Sequence, residues 1–321
     1  MSYALNSHLK DLTGLLGAKI KGQSKAIAAV VSAVKIAESG LCEKDQPKAS
    51  FLFLGPTGVG KTELALELVK HLYADSSRLF RFDMAEFQSK DSLGVLLGQH
   101  KQEQGRLGDA VDLLNQKGGG IILFDEIEKA NPELTTIFLS LLDAARVTMS
   151  NGSVKDFSNT YIVFTSNLHG AEAVQMRHSS EYSVEKAILS EAQRYFRPEL
   201  YDRFTKKVVF NRLNRDVIFE ICKNLIDKEL ENISIAMGID IELEEQAEDF
   251  LINKGCSDVL GVRSIRRTIK MLLGDLIVAW LETHEIDQKQ SLFTLEIFED
   301  QLKLIKKDEK RREIHILEKS A

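Results

Sequence analysis

The sequence has few cysteines, and none of them is close to another. Cys42, Cys222 and Cys256 are the three cysteines among 321 residues, and no two of them form a CxxC pair. An odd number of distant cysteines argues against a disulfide framework and against a zinc site. We therefore expect reduced, mostly structural thiols in a cytoplasmic protein.

Long apolar runs and an excess of basic charge are also missing. No stretch of about 18 apolar residues occurs, so we expect no membrane span. The first residues, MSYALNSHLKDL, lack a basic segment followed by an apolar one, so we expect no signal peptide. The net charge of −6 excludes the global basic field that attracts nucleic acid, although a local patch stays possible.

The sequence does contain enough apolar residues for a packed core, at 44% of the chain. Four apolar runs have the length of strands, and helical patterns lie between them. The runs are Phe51–Leu54 (FLFL), Leu79–Phe82 (LFRF), Ile121–Phe124 (IILF) and Tyr161–Thr165 (YIVFT). Strands that alternate with helices and are apolar on both faces predict an α/β domain with a parallel central sheet. Lys207–Phe210 is a candidate fifth strand.

The pattern changes after Asn211. Three amphipathic helices are predicted in this part, over Asp216–Asn232, Glu244–Lys254 and Val262–Thr283, followed by a possible strand at Ser291–Phe298. We therefore divide the chain into a large α/β domain, 1–211, and a smaller, mostly helical domain, 212–321. The charged tail, 303–319, is interpreted as a solvated terminus.

GPTGVGKT, over Gly55–Thr62, matches the phosphate-binding pattern G-x-x-x-x-G-K-[ST] between a strand and a helix. Glycines let the backbone N–H groups turn inward to phosphate oxygens, and the helix N-terminus adds positive potential. Lys61 supplies a charge for the β- and γ-phosphates of ATP, and Thr62 a hydroxyl ligand for Mg²⁺. The expected contacts are Gly55, Pro56, Thr57, Gly58, Val59, Gly60, Lys61, Thr62 and Glu63.

Two acidic residues and an amide follow the later strands. Asp125 ends the IILF run, where it can hold Mg²⁺ through water, and Glu126 is a candidate general base for the attacking water. A second carboxylate favours a mechanical ATPase over a kinase or small GTPase. Asn167, in TSN, could orient that water or contact the γ-phosphate, although Ser-Asn after a strand is also ordinary turn chemistry.

Several segments together resemble the AAA+ superfamily, in particular the second ATPase domain of Clp-type unfoldases and disaggregases. The resemblance covers roughly residues 15–285. Its most specific segments are FLFLGPTGVGKTELA (51–65), FDMAEF (82–87), ILFDEIEKANPE (122–133), TSNL (165–168), FRPELYDRF (196–204) and GVRSIRR (261–267).

The resemblance implies roles for residues that composition and spacing do not assign. Arg203 falls at the position of the arginine finger, which reaches a neighbour's γ-phosphate, although alone it could be a surface ion pair. Arg263 matches an arginine that the small domain lays on the phosphates. Ile20 and Lys21, in IKGQ, match the segment that brackets adenine. Arg146 and Arg197 also sit at matching positions. A finger acting in trans implies a homo-oligomeric ring, a hexamer by analogy.

The sequence departs from the family in the loop that grips polypeptide in the ring pore. The corresponding stretch, 96–111 (LLGQHKQEQGRLGDAV), is shorter than usual, and no aromatic residue lies between Phe87 and Phe124. His100 and Lys101 are the nearest substitutes, in a polar setting that would hold unfolded protein weakly. Glu103 offsets Lys101 and Arg106, so nucleic-acid threading is not supported. A trimmed loop without function is the remaining alternative.

Further segments of the family are not found here. We expect no first ATPase domain and no substrate-recruiting domain before this module, and no docking loop for a protease. The stretch 170–190 is interpreted as a mobile insertion or a loop and helix.

The sequence suggests three functions. The first is an ATP-driven remodeller of a protein client, similar to a chaperone. The second is a non-threading, ATP-dependent switch or assembly platform that recruits a partner. The third, a structural ring with little hydrolysis, is disfavoured by the intact site residues. The complete ATPase signature ranks the structural ring last. The altered loop argues against straightforward threading, so the second function stays open beside the first.

Overall fold

The computed structural model describes residues 7–41, 43, 45–100, 103–168, 170, 176, 179–255, 261–282, 291–298, 301–307 and 312–314. Tertiary contacts divide the chain into two compact units, residues 1–212 and 213–321. Cys42, Cys256 and Lys101 lie outside the described residues, as do parts of 170–190 and of the tail. Cys222 is described, and it is a reduced and buried thiol.

The first unit is built on a five-stranded parallel sheet, as the alternating strands and helices predict. The strands of this unit are β1 (Ala49–Leu54), β2 (Leu79–Asp83), β3 (Gly120–Asp125), β4 (Arg146–Thr148), β5 (Val154–Asp156), β6 (Thr160–Ser166) and β7 (Lys206–Val209). Of these, β4 and β5 form a separate two-stranded hairpin, and the other five form the sheet. The order in the sheet is β2-β3-β6-β1-β7. Sequence patterns predict all five sheet strands and miss the hairpin.

The helices of the first unit flank this sheet. They are α1 (Ser7–Lys10), α2 (Leu12–Lys19), α3 (Ser24–Glu38), α4 (Lys61–Tyr73), α5 (Lys90–Leu97), α6 (Gly105–Gln116), α7 (Leu134–Ala144), α8 (Glu181–Tyr195) and α9 (Pro198–Arg203). Short 3₁₀ helices lie at Ser76–Arg78, Met84–Phe87 and Ile127–Lys129.

The two faces of the sheet are covered by different helices. Leu52 and Leu54 belong to a core that also contains buried residues of α5 to α9. Phe51 and Phe53 alternate with them and therefore point to the other face. α3 contacts β1 and β7, and α4 contacts β3 and β6. Buried apolar residues on both faces explain why these strands lack an alternating pattern.

Of the two interpretations of 170–190, a mobile insertion or a loop and helix, the structure supports the second. α8 begins at Glu181, its N-cap Ser180 accepts a hydrogen bond from the Ser183 amide, and Val184 and Ile188 are buried in the core. The amphipathic spacing of VEKAI therefore makes the second half of the segment a core helix.

The described part of the second unit contains three helices, as predicted, and a four-stranded sheet. Its elements are α10 (Arg215–Met237), β8 (Ile239–Leu243), α11 (Glu245–Gly255), α12 (Gly261–Leu281), β9 (Ser291–Phe298), β10 (Gln301–Lys307) and β11 (Arg312–Ile314). The sheet order is β11-β10-β9-β8, and only β8 and β9 run parallel. Trp280 packs edge-on against Phe293, with ring centroids 4.9 Å apart, in the core of this unit.

The beginning of the charged tail was predicted wrongly. Residues 303–307 are not a solvated terminus but part of β10, in which Leu302, Leu304 and Ile305 are buried. The Lys303 side chain is also buried, because its ammonium lies over the Phe298 ring, 3.6 Å from the centroid. A cation on an aromatic face lets a lysine occupy a position that charge counting assigns to solvent.

Candidate functional site

The loop between β1 and α4 has the backbone that a phosphate cradle requires. Gly55, Gly58 and Gly60 have φ values of 139°, 79° and 107°, which side chains rarely adopt. A Cβ on Gly55 would lie 2.4 Å from the carbonyl oxygen of Phe210, so only glycine fits there. The loop leads directly into α4, which begins at Lys61 with Glu63 in its first turn. Backbone amides in such a loop, together with a helix N-terminus, are suited to an anion such as phosphate.

Lys61 lies inside this loop. It is 7% exposed, and its ammonium donates to the carbonyl oxygens of Gly55 at 2.6 Å and Pro56 at 2.7 Å. A third bond, of 2.9 Å, goes to the side-chain oxygen of Asn167. Thr57 Oγ1 contacts the same Asn167 oxygen at 3.3 Å. The structure therefore brings the loop and the TSN segment together.

Thr62 and Asp125, the two predicted Mg²⁺ ligands, also meet. Thr62 Oγ1 lies 3.4 Å from Asp125 Oδ1, and Asp125 is buried. A hydroxyl and a carboxylate at this spacing are the hard oxygen donors that suit Mg²⁺ with water completing the shell. Within the described ranges, no cluster of three or more His, Cys, Asp or Glu residues could hold a metal ion on its own.

Two partners of Asp125 were not assigned from the sequence. Arg81 forms an ion pair with Asp125 Oδ2, and the Thr165 hydroxyl donates to Asp125 Oδ1. Arg81 lies on the edge strand β2, and Thr165 on β6, so the two strands that flank β3 hold its terminal carboxylate from both sides. Arg81 directly precedes FDMAEF and Thr165 begins TSNL, two segments that resemble the family, but only the strand register reveals their common partner.

Glu126 follows Asp125 in an unusual conformation. Its φ of 59° and ψ of 53° place a residue with a side chain in the left-handed region, which is typical of functional sites. Its Oε1 accepts 3.0 Å from the Asn167 amide nitrogen, and its Oε2 pairs with Lys129. This hydrogen bond and the negative charge of Glu126 raise the pKa of Lys129. One oxygen of the Glu126 carboxylate therefore faces the Asn167 side chain, and the other is paired with the Lys129 ammonium.

Asn167 connects the two halves of the site. Its oxygen faces Lys61 and its amide nitrogen donates to Glu126. The backbone amide of Asn167 donates to Glu128 Oε1 at 3.0 Å, which fixes its orientation. The sheet order explains this position, because β6 lies between β1 and β3 and its carboxyl end separates the phosphate loop from the acidic pair.

The IKGQ segment lies against the same loop. A Cβ added to Gly60 would lie 3.4 Å from the buried Ile20 side chain. Lys21 follows Ile20 in the chain. Gln23, the last residue of IKGQ, donates to the Val59 carbonyl at 3.3 Å and to the Asn211 carbonyl at 2.8 Å. It also accepts 3.1 Å from the Asn211 amide. Gln23 therefore attaches this segment to the phosphate loop.

Arg203 is not brought to this site. Its carbonyl oxygen accepts from Ser50 Oγ at 3.3 Å, at the start of β1, whereas the phosphate loop follows the end of β1. The guanidinium pairs with Asp143 Oδ1 at 2.7 Å on the protein surface. Leu54 lies four positions after Ser50 in the strand, a distance of about 13 Å.

The other predicted arginines lie elsewhere. Arg263 belongs to α12 in the second unit, and its side chain is outside the described residues. Arg146 begins β4 and Arg197 precedes α9, and both are exposed. None of these positions tests the roles that the resemblance implies.

The predicted substitute for a pore loop is a tight connection between α5 and α6. A Cβ on Gly105 would lie 2.3 Å from the Gly98 amide nitrogen, so the two ends of the loop are in direct contact. The Glu103 amide donates to the His100 carbonyl at 2.9 Å. Arg106 pairs with Glu86 at 2.9 Å and lies over the Phe82 and Phe87 rings. Arg106 is therefore engaged within its own domain.

None of the helices in the described ranges combines the length and the apolar character that a membrane crossing requires.

The fold and the site define a P-loop ATPase with a separate C-terminal domain, and comparisons with known proteins give its family. The family model described as AAA domain (Cdc48 subfamily) matches residues 46–207, and the one described as the C-terminal, D2-small domain of ClpB protein matches residues 213–293. The chain belongs to the AAA+ ATPases, of the Clp type, and this family binds nucleotide.

Curated relatives agree with this assignment. Chaperone protein ClpB of Prochlorococcus marinus is 34% identical over 301 residues, which are 92% of this chain and 34% of that protein. Heat shock protein 100 of Trypanosoma brucei brucei is 36% identical over 84% of this chain and 32% of its own length. Heat shock protein 104 of Schizosaccharomyces pombe is 36% identical over 82% and 30%. The chain thus spans about a third of the length of these relatives.

Proposed function

We propose that this chain binds ATP with Mg²⁺ and hydrolyses it to ADP and phosphate. The observation that carries the proposal is the bridge through Asn167, which contacts the Lys61 ammonium at 2.9 Å and the Glu126 carboxylate at 3.0 Å. A side chain that joins the phosphate-binding lysine to a carboxylate is suited to orient a water molecule between them.

Each residue has a defined part in this proposal. The amides of the loop from Gly55 to Gly60 and the Lys61 ammonium hold the β- and γ-phosphates. Thr62 and Asp125 hold Mg²⁺, which when bound neutralises charge on the phosphates. Glu126 accepts a proton from the attacking water, and Asn167 positions it. Ile20 and Lys21 line the adenine, and a phosphate-contacting role for Arg263 rests on the match of GVRSIRR to the family alone.

We further propose that the site is completed in a homo-oligomeric ring, hexameric by analogy with the family. The placement of Arg203 near the start of β1 supports this, because the residue is remote from its own phosphate loop. A neighbouring copy could receive the guanidinium once its bond to Asp143 opens. An arginine finger delivered in trans stabilises transition-state charge.

The activity that fits best is ATP-driven remodelling of a protein client, since the relatives that match are named as chaperones and heat shock proteins. The partners are then other copies of the chain and a polypeptide, not nucleic acid. The reduced thiol of the buried Cys222 suits a cytoplasmic location.

A second function, a non-threading switch that recruits a partner, is favoured by the connection between Gly98 and Gly105. The two ends of this connection are in direct contact, and no aromatic residue lies between Phe87 and Phe124. The connection therefore offers little apolar surface for gripping a polypeptide. Stimulation of ATP turnover by an unfolded model protein separates the two functions. A remodeller responds with faster turnover, and a dedicated switch does not.

The test of hydrolysis is the Glu126→Gln variant. It should bind a fluorescent ATP analogue as tightly as the unaltered chain but lose about 10²- to 10⁴-fold in turnover, because a neutral amide cannot accept the proton. Glu133→Gln is the matched control, since Glu133 is an exposed partner of Lys90 at 2.6 Å and lies near the same segment. Turnover in Glu126→Gln equal to that of Glu133→Gln would refute the assignment of the general base.

A further inference from the structure

Thr165 occupies a position between the two acidic residues of the candidate site. The register of β3 and β6 pairs Phe124 with Phe164, so Asp125 and Thr165 lie at the same level on neighbouring strands. Thr165 is 1% exposed. A buried hydroxyl must satisfy its own hydrogen bonds, and the side chain has one donor and two acceptor sites for this purpose.

The hydroxyl uses both kinds of bond, each toward a different acidic residue. It donates to Asp125 Oδ1, and it accepts from the Glu126 backbone amide at 3.0 Å. The first bond orients a side chain, and the second holds a backbone. One atom therefore fixes the predicted metal ligand and the predicted general base relative to each other.

The bond to Glu126 matters because that residue has a left-handed backbone. At φ 59° and ψ 53°, a residue with a Cβ relaxes toward other conformations unless its surroundings prevent it. Rotation of the peptide before Glu126 would move its carboxylate away from the Asn167 amide. The Thr165 hydroxyl opposes this rotation by holding the N–H group of the same peptide.

The bond to Asp125 acts on the other side of the site. Arg81 holds Oδ2, while Oδ1 faces the hydroxyls of Thr165 and Thr62. Without Thr165, the carboxylate keeps one firm anchor and can turn about it. The oxygen that faces Thr62 would then lose its fixed direction.

We infer that Thr165 is a positioning residue for ATP hydrolysis: its hydroxyl sets the Asp125 carboxylate and the Glu126 backbone in one arrangement. It does not touch the nucleotide and acts only through these two neighbours. The kinetic consequence rests on the proposed function, whereas the structural consequence, protection of the Glu126 amide, does not depend on it.

The test compares three variants of the full chain. Thr165→Val removes the hydroxyl and keeps the branched shape that a strand favours, and Thr165→Ser restores the hydroxyl. Thr160→Val is the matched control, because Thr160 is equally buried at the other end of β6 and its hydroxyl donates only to the Phe157 carbonyl, at 2.7 Å. That carbonyl also accepts from the Thr160 amide, so the control leaves it paired.

Two measurements decide the inference. Hydrogen exchange at the Glu126 amide, without nucleotide, should be on the order of tenfold faster in Thr165→Val and unchanged in Thr165→Ser and Thr160→Val. Turnover should fall about 10- to 100-fold in Thr165→Val, as for other residues that orient catalytic groups, with affinity for the ATP analogue unchanged. Thr165→Ser should recover most of the turnover.

The outcomes separate this inference from the proposed function. If Thr165→Val matches Thr160→Val in exchange and in turnover, Thr165 does not position the site. If the unaltered chain does not hydrolyse ATP, the proposed function fails, and the exchange measurement alone still decides whether Thr165 holds Glu126. Equal loss of turnover in Thr165→Ser and Thr165→Val would also overturn the inference, because the hydroxyl would then not be the cause.

Discussion

Glu38 shows how one carboxylate connects separate parts of the first unit. Its Oε1 accepts from the Lys48 ammonium at 2.8 Å and from the Tyr161 hydroxyl at 2.6 Å, so it links the end of α3 with β6. Burial raises the pKa of Glu38, but the two hydrogen bonds and the charge of Lys48 outweigh it, and the pKa lies below its ordinary value of 4.5. The ionised form is therefore the one that stabilises the fold.

The sign of the pH dependence follows from this shift. A lowered folded-state pKa adds stability that is present above pH 4.5 and is lost as the pH falls below it. Glu38→Gln should lower the free energy of unfolding by about 1–2 kcal/mol at pH 7, and the difference should shrink in acid. Thermal unfolding followed by circular dichroism at several pH values measures this.

The control for this prediction is Glu43→Gln. Glu43 accepts a hydrogen bond of 2.8 Å from Gln46 at an exposed position, and its replacement should change stability little at any pH. A difference for Glu38→Gln that stays constant from pH 7 to pH 3 would contradict the role of its charge.

At the scale of elements, the loop between α5 and α6 depends on Gly105, and Gly118, which follows α6, offers a comparison. Gly105 has a φ of 67°, and an added Cβ would lie within 2.5 Å of three atoms of the α5 end. Gly118 has a similar φ of 80° but open space around it. Comparing alanine at these positions separates backbone strain from crowding.

We expect Gly118→Ala to cost about 1–2 kcal/mol of stability, the cost of a left-handed residue with a side chain. Gly105→Ala should cost about 1–3 kcal/mol more, because the neighbouring backbone must also move. Urea unfolding of both variants measures the two costs. Equal losses of stability in the two variants would mean that the backbone around Gly105 can move apart without an additional cost.

Sequence patterns predicted the elements that carry strong periodicity or a motif. The FLFL and IILF runs became β1 and β3, and the phosphate loop joined β1 to α4 because its glycines and Lys61 are adjacent in the chain. The sequence predicted the bridge through Asn167 only in part, since TSN alone also predicts a turn. Strand order, which places β6 between β1 and β3, is a property of distant pairing that a single sequence does not reveal.

Other elements were missed for physical reasons that differ. β8 is a strand of five residues, IDIEL, directly after a long helix, and its pattern is too short to separate from a helix end. β10 contains Lys303, whose charge suggests solvent until the Phe298 ring is placed beneath it. Arg81 has no sequence signal of its own, and Thr165 belongs to TSNL without any signal that points to Asp125, because both contacts with Asp125 depend on the pairing of strands.

At the scale of the whole molecule, the position of Arg203 predicts cooperation between copies. Arg203→Ala should spare nucleotide binding and reduce turnover on the order of 10³-fold. Mixing it with Glu126→Gln should restore part of the activity, because an intact Glu126 in one copy then meets an intact Arg203 in the next. Steady-state turnover across mixing ratios measures this.

Arg194→Ala is the control for this experiment, since Arg194 is an exposed partner of Glu191 at 3.8 Å on α8. It should keep full turnover alone and in mixtures. If mixtures of Arg203→Ala and Glu126→Gln recover no activity at any ratio, the finger does not act in trans.

A row of aromatic rings crosses one face of the sheet, from Phe82 through Phe124 and Phe164 to Phe204, with successive centroids 5.7, 4.9 and 5.3 Å apart. Phe124 lies two residues before Glu126, and Phe204 directly follows Arg203. Close-packed rings resist compression and transmit displacement. This row of packed rings thus holds the segments that carry Glu126 and Arg203 at a fixed separation. If the two residues act as proposed, a displacement at Glu126 would move Arg203 together with the rings, and a neighbouring copy would receive it as a rigid shift rather than as a bend.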